Sequence, residues 1–360
     1  MVRFRVDAAD IKKNVVDLLK IIKTRSFQPI LAAVYFKAAG DKLLMVGATQ
    51  EAQLYVESGA VIEEEGEFLL PAKIAADIFK DAEGEVHFEI SEGNVFIKME
   101  SVEYKLRVVP ADDYPYKEVP TFEGRLTLPS EVMDLIVKKV AIAAATDPVD
   151  IMSGVLLEFE EGKVTAVASD NYRLAWYEFG IDNQLVGERY IVPQAVFARL
   201  ADISDEEVYL TFSEGKVFAK GDRGAVLISN LLQGSFPNWR QVIPQMHTTM
   251  IEFEKREFQQ ALKRVVPMAE DRRSGVKLSI SSEKIVLEIM NSQFGEVKSN
   301  VPLLSFEGEE MEITFGINYL AAGVDAAEED TVVLKLAGPM SAAYLSSGKF
   351  NYILVPMRVI

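Results

Sequence analysis

One stretch of this chain occurs twice, and that constrains the fold more than any other feature. Leu70-Pro71 to Tyr114-Pro115, shifted by 122 positions, falls without a gap on Val192-Pro193 to Phe236-Pro237. Within it, Ser91-Glu92-Gly93-Asn94-Val95-Phe96-Ile97-Lys98 overlies Ser213-Glu214-Gly215-Lys216-Val217-Phe218-Ala219-Lys220, identical at six of eight positions. A third, fainter copy lies about 124 positions further on, where Ile74, Ile78, Val86, Phe88 and Pro110 land on Leu320, Val324, Val332, Leu334 and Pro356. A register held over so long a stretch marks a repeated structural unit. Three copies in 360 residues place the units at 1–120, 121–246 and 247–360, each long enough to close its own core.

Each copy carries the same pattern. The first opens with a strand at Arg3 to Val6, and Asp10 is the expected N-cap of a helix running to about Lys23. Strands are expected at Ala32 to Ala38, Lys42 to Ala48 and Gln53 to Ser58, then a helix at Pro71 to Lys80. Val86 to Ile90, Val95 to Met99 and Tyr104 to Val109 follow as strands, with a tight turn at Ser91 to Asn94. In the second copy a helix runs from Pro129-Ser130 to about Ala145, strands fill Gly154 to Glu178, and a second helix spans Pro193 to Leu200. The third begins near Met250, with a helix around Lys255 to Val266 and a last strand at Asn351 to Pro356. Alternating short runs predict antiparallel sheet covered on one face, so the expected class is α+β: three domains, each two helices on an antiparallel sheet. The connectors at Tyr114 to Phe122 and Ser235 to His247 carry prolines and are too short for flexible tethers.

Composition removes several kinds of chemistry. There is no cysteine and only two histidines, His87 and His247, which leaves out disulfides and thiolate nucleophiles and makes zinc or histidine-base chemistry unexpected. No metal site or cofactor is expected. Gly154 to Lys163 ends in Gly-Lys, but phosphate-loop spacing is wrong and Val164 stands where a magnesium-binding hydroxyl is needed. The carboxylates cluster in turn-like runs such as Glu63-Glu64-Glu65 and Asp205-Glu206-Glu207, which suits solvated loop tips better than acid–base catalysis. With neither an apolar run of membrane-spanning length nor a basic-then-apolar leader, the chain is expected in the cytoplasm, away from membranes. A net charge of −17 argues against an open, adhesive DNA-binding surface, because phosphates repel an acidic protein.

Three features stand out from this background. On the first helix Ile11, Val15, Leu18, Leu19 and Ile22 share one face, while Lys12, Lys13, Lys20 and Lys23 crowd an adjoining arc, apart from Asp10, Asn14 and Asp17. A solvated face would normally interleave acids among the lysines. Ser169-Asp170-Asn171-Tyr172-Arg173-Leu174 is a polar turn between strands bearing a Tyr-Arg pair. The ending Tyr352-Ile353-Leu354-Val355-Pro356-Met357-Arg358-Val359-Ile360 is apolar past Pro356, where a strand should stop. An apolar end with methionine beside a Tyr-Arg pair suits a peptide-binding groove.

The Asp-x-x-Arg-Leu turn, the Phe236-Pro237-Asn238-Trp239-Arg240 stretch and the Val355-Pro356-Met357-Arg358 ending resemble the bacterial sliding clamp family, the β subunit of DNA polymerase III. Met311-Glu312-Ile313 running into Asn318-Tyr319 is similar too, and the likeness spans the whole chain in order. It implies a non-catalytic processivity factor: a head-to-tail homodimer, closed as a ring of six domains around duplex DNA without sequence preference. Its implied partners are DNA, a clamp loader, the replicative polymerase and other proteins bearing clamp-binding peptides. By the same resemblance, Lys12, Lys13, Lys20, Arg25, Lys138, Lys139, Arg199, Arg256 and Lys263 would face DNA. The acidic loop Thr146 to Asp150 departs from the family there. The partner groove, between domains two and three, would comprise Met152, Ser169, Asn171, Tyr172, Arg173, Leu174, Pro237, Val242, Tyr319, Ile353, Leu354, Val355, Pro356, Met357 and Arg358. Gln241 stands where the family often has a basic residue, so peptide preference is expected to differ. Ring closure would bring the edge strand with Tyr104 and Leu106 to a sheet edge near Pro267 and Met268. Two other readings remain open here: a monomeric peptide-binding repeat adaptor, and a hydrolase using Asp170.

Overall fold

The computed structural model of the chain describes residues 2–23, 28–116, 125–147, 150–269, 274–291 and 295–357. In the first third, β1 (Val2–Asp7) leads into α1 (Ala8–Leu19). Asp7, not Asp10, caps that helix: its backbone is still extended, so its carboxylate reaches back to accept from the Ala9 N–H at 2.8 Å. Asp10 lies one turn inside, where its charge still suits the N-terminal end of the helix dipole. The helix closes at Leu19, short of Lys23, because the N–H groups of Lys20 and Ile21 turn to the carbonyls three residues back. Four strands follow, β2 (Ala33–Ala39), β3 (Lys42–Ala48), β4 (Ala52–Glu64) and β5 (Gly66–Pro71), then α2 (Ala72–Phe79). β6 (Glu85–Ser91), β7 (Asn94–Met99) and β8 (Val102–Arg107) complete the copy. The core is aromatic, with Phe4 stacked on Phe88 at 4.5 Å and Phe36 on Phe68 at 4.9 Å. Each such ring contributes about 1.5–3 kcal/mol when fully buried.

The middle third runs β9 (Leu126–Pro129), α3 (Ser130–Leu135), β10 (Gly154–Glu160), β11 (Lys163–Ser169), β12 (Arg173–Phe179), β13 (Arg189–Pro193), α4 (Gln194–Ile203), β14 (Glu207–Ser213), β15 (Lys216–Gly221) and β16 (Val226–Asn230). The expected helix to Ala145 does not stay regular. After Leu135 it widens into a π turn, with Ala141 N–H donating to the Ile136 carbonyl, and then tightens into a 3-10 turn. The last third gives β17 (Thr249–Glu254), α5 (Lys255–Val265), β18 (Gly275–Ile280), β19 (Lys284–Asn291), β20 (Gly295–Pro302), β21 (Ser305–Gly308), β22 (Met311–Gly316), α6 (Ile317–Ala326), β23 (Thr331–Leu336), β24 (Ala343–Ser347) and β25 (Phe350–Leu354). The repeated Ser-Glu-Gly turn is real in both copies: Glu92-Gly93 and Glu214-Gly215 both adopt positive φ, the twist a two-residue hairpin loop requires.

Every strand pairing in the sheets is antiparallel, and the sheets run through the sequence repeats. A twelve-stranded sheet follows the path β8-β7-β6-β1-β4-β16-β15-β14-β9, with β2, β3 and β5 branching from it. A nine-stranded sheet follows β13-β10-β11-β12-β25-β24-β23-β17-β21, and a four-stranded one β20-β19-β18-β22. The middle copy therefore lends one set of strands to each neighbour. Compact packing accordingly gives two units: Met1–Met133 with Ala195–Leu231, and Asp134–Gln194 with Leu232–Ile360. α1 and α2 pack together in the first unit, α5 and α6 in the second.

Candidate functional site

In the second unit, the turn from β11 to β12 is built by Asp170. One carboxylate oxygen accepts from the Tyr172 and Arg173 N–H groups, both at 3.0 Å, and the other from Arg173 Nε at 2.9 Å. Ser169 Oγ donates to the Arg173 carbonyl at 2.8 Å, and Asn171 takes φ 71°, a conformation asparagine tolerates better than most residues. Asp170 is thus a turn-former whose acceptor capacity is spent locally, which leaves it no role as a catalytic base.

β12 pairs with β25 from Arg173↔Leu354 to Trp176↔Asn351, and Val355 N–H extends the ladder to the Tyr172 carbonyl at 2.9 Å. Beyond Pro356 the chain crosses to β22, where Met357 N–H donates to the Thr314 carbonyl at 2.8 Å. The Met357 thioether lies beside Gly275, where an added Cβ would meet the Thr314 methyl at 2.9 Å and stand 3.5 Å from the sulfur. The Arg173 guanidinium lies 4.6 Å from the centre of the Tyr319 ring, on which Tyr172 also stacks at 6.1 Å. Burial works against charge on Arg173, but Tyr352 and Asp170 outweigh it and hold the group above its ordinary value. Burial pushes the Tyr352 hydroxyl up, keeping it a donor to the Tyr319 carbonyl at 2.9 Å.

Beside this turn opens a cavity of about 150 Å³. Met152, Ser169, Asn171, Arg173, Leu174, Pro237, Val242, Ile353 and Val355 line it, together with Phe236, Asn238, Trp239 and Ala342. A comparable volume in an apolar protein cavity accepts one benzene ring, so one aromatic or leucine side chain fits. Of the other expected groove residues, Tyr172 and Tyr319 flank it as a stacked pair, Leu354 is buried in β25, and Pro356 and Met357 continue the tail. Arg358 lies outside the described residues. Tyr172, Val242, Val355 and Met357 are exposed apolar groups clustered around one opening, the kind of patch that marks an interaction surface.

Trp239 is the wall that sequence reasoning missed. Its Nε1–H donates to Glu158 Oε2 at 3.1 Å, and the same carboxylate binds Arg240 at 2.7 Å and Arg189 at 2.8 Å. The Arg240 guanidinium covers the indole at 4.3 Å, and Trp176 meets it at 5.5 Å. The only available signal was that the chain has two tryptophans, Trp176 and Trp239, and both belong to this cluster.

The first unit contains the matching junction, β4 on β16, and the cavity there, about 310 Å³, has a more polar lining that includes Gln50, Glu51, Gln53, Lys216 and Asn230. Tyr35 is stacked between Tyr114 at 5.3 Å and Tyr116 at 5.0 Å. Tyr116 occupies the repeat position of the cavity residue Asn238, and Gln53 Nε2 donates to the Pro115 carbonyl at 2.7 Å to hold that segment down.

The basic candidates divide into two groups. Lys12, Lys13, Arg256 and Lys263 are exposed and enter no ion pair among the described residues, while Lys138 pairs only with Asp134 one helical turn away, at 2.8 Å. Lys20 is not segregated from acids: Asp17 at 3.1 Å and Asp202 at 3.0 Å hold it. Partial burial opposes its charge, yet the two carboxylates raise it above the ordinary lysine value. Asp202 also binds Arg199 at 3.3 Å. Lys139 donates to the Ala326 carbonyl at 2.7 Å, beside Lys255 on Ala327 at 2.8 Å, so both cap the C-terminal end of α6, where cations are favoured. Burial lowers the Lys139 ammonium below its usual value. Arg25 lies outside the described residues, as do Pro148 and Val149 of the acidic loop. Tyr104 and Leu106 are half-buried on β8, a sheet edge as expected. Pro267 and Met268 lie in a 3-10 turn rather than a strand, and the open edge of that sheet is β20. Among the described residues no three His, Cys, Asp or Glu side chains group as a metal site, and no helix is long and apolar enough to cross a membrane.

A repeated α+β chain thus carries an apolar socket rimmed by the half-buried Arg173, with the neighbouring Asp170 carboxylate and Ser169 hydroxyl engaged within the turn. Family models assign each third: the N-terminal domain of the DNA polymerase III beta subunit matches residues 2–119, its central domain 127–238 and its C-terminal domain 240–358. The chain belongs to the DNA polymerase III beta subunit family, non-catalytic accessory subunits of that polymerase. It is 25% identical to the beta sliding clamp of Caulobacter vibrioides, over 99% of this chain and all of that one. It is 27% identical to that of Streptomyces coelicolor, over 99% of each. The crystal structure of the sliding clamp from Bacillus subtilis superposes over the full length of both chains with a TM-score of 0.93 at 23% identity. A Bartonella birtlesii clamp bound to griselimycin, 22% identical, aligns over the full length of both chains with a TM-score of 0.92.

Proposed function

We infer that this chain is the processivity factor of a bacterial replicative polymerase, acting in the cytoplasm as a head-to-tail dimer that encloses duplex DNA and slides along it. Its domains are taken as 1–120, 121–246 and 247–360. Non-specific electrostatic binding is weak and falls steeply with salt, so adhesion alone would not keep a polymerase on its template. Enclosure needs little affinity, and an acidic exterior discourages DNA from binding outside. Lys12, Lys13, Lys138, Arg256 and Lys263 are the side chains assigned to the phosphates, while Lys20, Lys139 and Arg199 serve the joints between repeats. The clamp loader, the polymerase and competing proteins would each place a short peptide in the cavity beside β12 and β25, an apolar anchor entering it and Arg173 bonding the peptide's polar atoms.

The observation that carries this reading is the open apolar cavity walled by Leu174, Trp239 and Ile353 and rimmed by Arg173. The test is a fluorescent peptide ending in leucine and phenylalanine, titrated against wild type and a Met357→Ala, Arg358→Ala variant, with mass measured by sedimentation. Loss of peptide binding with an unchanged dimer is expected. Equal loss of both would make the tail structural and overturn the groove assignment.

A further inference from the structure

The β4–β16 and β12–β25 junctions correspond row by row. Gln53, Ile228 and Phe218 stand across three strands at the first as Leu174, Ile353 and Tyr344 do at the second. One row outward, Asn230 N–H donates to the Glu51 carbonyl at 2.9 Å, as Val355 N–H does to the Tyr172 carbonyl. Lys216, paired with Asn230, takes the place of Ala342 in that row. The hollow of about 310 Å³ beside β4 and β16 is therefore the counterpart of the docking cavity, and it lies wholly within the first unit.

Its walls are of another kind. Gln53 stands for Leu174, Asn230 for Val355, Lys216 for Ala342 and Glu51 for Tyr172, over a floor kept apolar by Ile228 and Phe218. A leucine or phenylalanine seated there would strip water from an ammonium and from amides without pairing them, which works against the contact. Lys216 is half-buried, and its ammonium enters no ion pair or hydrogen bond among the described residues. Glu51 and Glu214 are exposed, and their carboxylates likewise meet no cation among the described residues. A half-buried charge without a counter-ion gains most from a partner that brings one, in charge-assisted hydrogen bonds.

Resting on the peptide-docking reading of the β12–β25 cavity, we propose that the β4–β16 hollow is a second docking site. Its occupant is an extended segment of a partner protein that carries an acidic anchor between basic residues. The anchor's carboxylate meets Lys216, with the Gln50 and Asn230 amides as further donors, and its stem lies on Phe218 and Ile228. The basic neighbours meet Glu51 and Glu214 at the rim. They also offset the net charge of −17, which would repel a purely acidic segment. Each hollow rejects the segment that the other accepts, so both can be engaged on one chain at once.

The probe is a fluorescein-labelled Arg-Tyr-Glu-Tyr-Arg peptide, with the charge-inverted Glu-Tyr-Arg-Tyr-Glu as control. Each is titrated at low salt against the full-length chain by fluorescence polarisation. Wild type should bind the probe at least about tenfold more tightly than the control. Lys216→Ala should weaken the probe by at least about tenfold, and Lys216→Arg should keep most of the binding. Glu51→Gln with Glu214→Gln, at the exposed rim, should cost about threefold. The Met357→Ala, Arg358→Ala variant should bind the probe as wild type does, and a saturating leucine–phenylalanine peptide should not displace it. No preference between the two peptides, an unchanged affinity in Lys216→Ala, or displacement by the leucine–phenylalanine peptide would overturn the second site. Failure of the leucine–phenylalanine peptide to bind wild type would instead remove the docking reading of the β12–β25 cavity.

Discussion

Replacing Glu158 should reach the docking cavity through Trp239 without touching a bound peptide. The Glu158 side chain is 8% exposed, whereas Arg240 and Arg189 are 47% and 52% exposed. On loss of the carboxylate the arginines can return to water, at no more than about 1 kcal/mol each. The buried indole N–H has no such recourse, and an orphaned donor costs about 1–3 kcal/mol. Glu158→Ala should therefore destabilise the second unit by roughly 2–4 kcal/mol, and the near-isosteric Glu158→Gln by about half as much. The part of that cost released by tilting Trp239 spoils the cavity wall, and about 1.4 kcal/mol of lost complementarity weakens peptide binding tenfold. Fluorescence polarisation with a labelled peptide should show about a tenfold weaker Kd for Glu158→Ala, with a red shift in tryptophan emission, and a smaller change for Glu158→Gln, whose amide oxygen still accepts from the indole. Arg189→Gln, which removes one exposed partner only, should stay near wild type. Unchanged emission and peptide affinity in Glu158→Ala would refute the claim that this side chain sets the wall.

Lys139→Ala should lower stability by about 1 kcal/mol through loss of the α6 cap and leave the salt dependence of DNA association unchanged, whereas Lys12→Ala with Lys13→Ala should do the reverse. Thermal melts paired with salt titrations on nicked circular DNA would separate the two, and a swapped result would mean the basic groups have been misassigned. Asp222 accepts from the Asp205 and Glu206 N–H groups at 3.0 and 2.7 Å and from Ser204 Oγ at 2.9 Å. The Asp205 N–H leads in holding its carboxyl down to about 2. Because the folded value is the lower one, this stabilisation is present above the ordinary aspartate range and is lost as pH falls from about 4 towards 2. Asp222→Asn should flatten that part of an acid-unfolding curve, and an unaltered curve would show that the turn contributes nothing.

The triplication could be read from the sequence because Ser91 to Lys98 and Ser213 to Lys220 keep both their turn and their strand residues. The third copy is faint because it keeps little beyond its apolar positions. What escaped the sequence depends on partners far away along the chain. Lys20 read as a free cation on a helical wheel, which displays only a helix's own neighbours, and Lys139 was assigned to DNA by resemblance alone. Asp202 and the Ala326 carbonyl belong to the second helix of the following repeat. Trp239 became a cavity wall only through Glu158, 81 residues earlier. Arg173, Leu174 and Val355 were found because the turn and the chain ending are local motifs. Phe236 and Asn238 lay within a stretch already noted, yet nothing local indicated which way they point.

The two internal joints of the triplicated architecture are lined differently. Glu51, Gln53, Lys216 and Asn230 edge the hollow at β4–β16, whereas Leu174, Trp239, Ile353 and Val355 edge the one at β12–β25. Duplication copied the crevice but not its chemistry, so an oily anchor is matched at one joint and a polar one at the other.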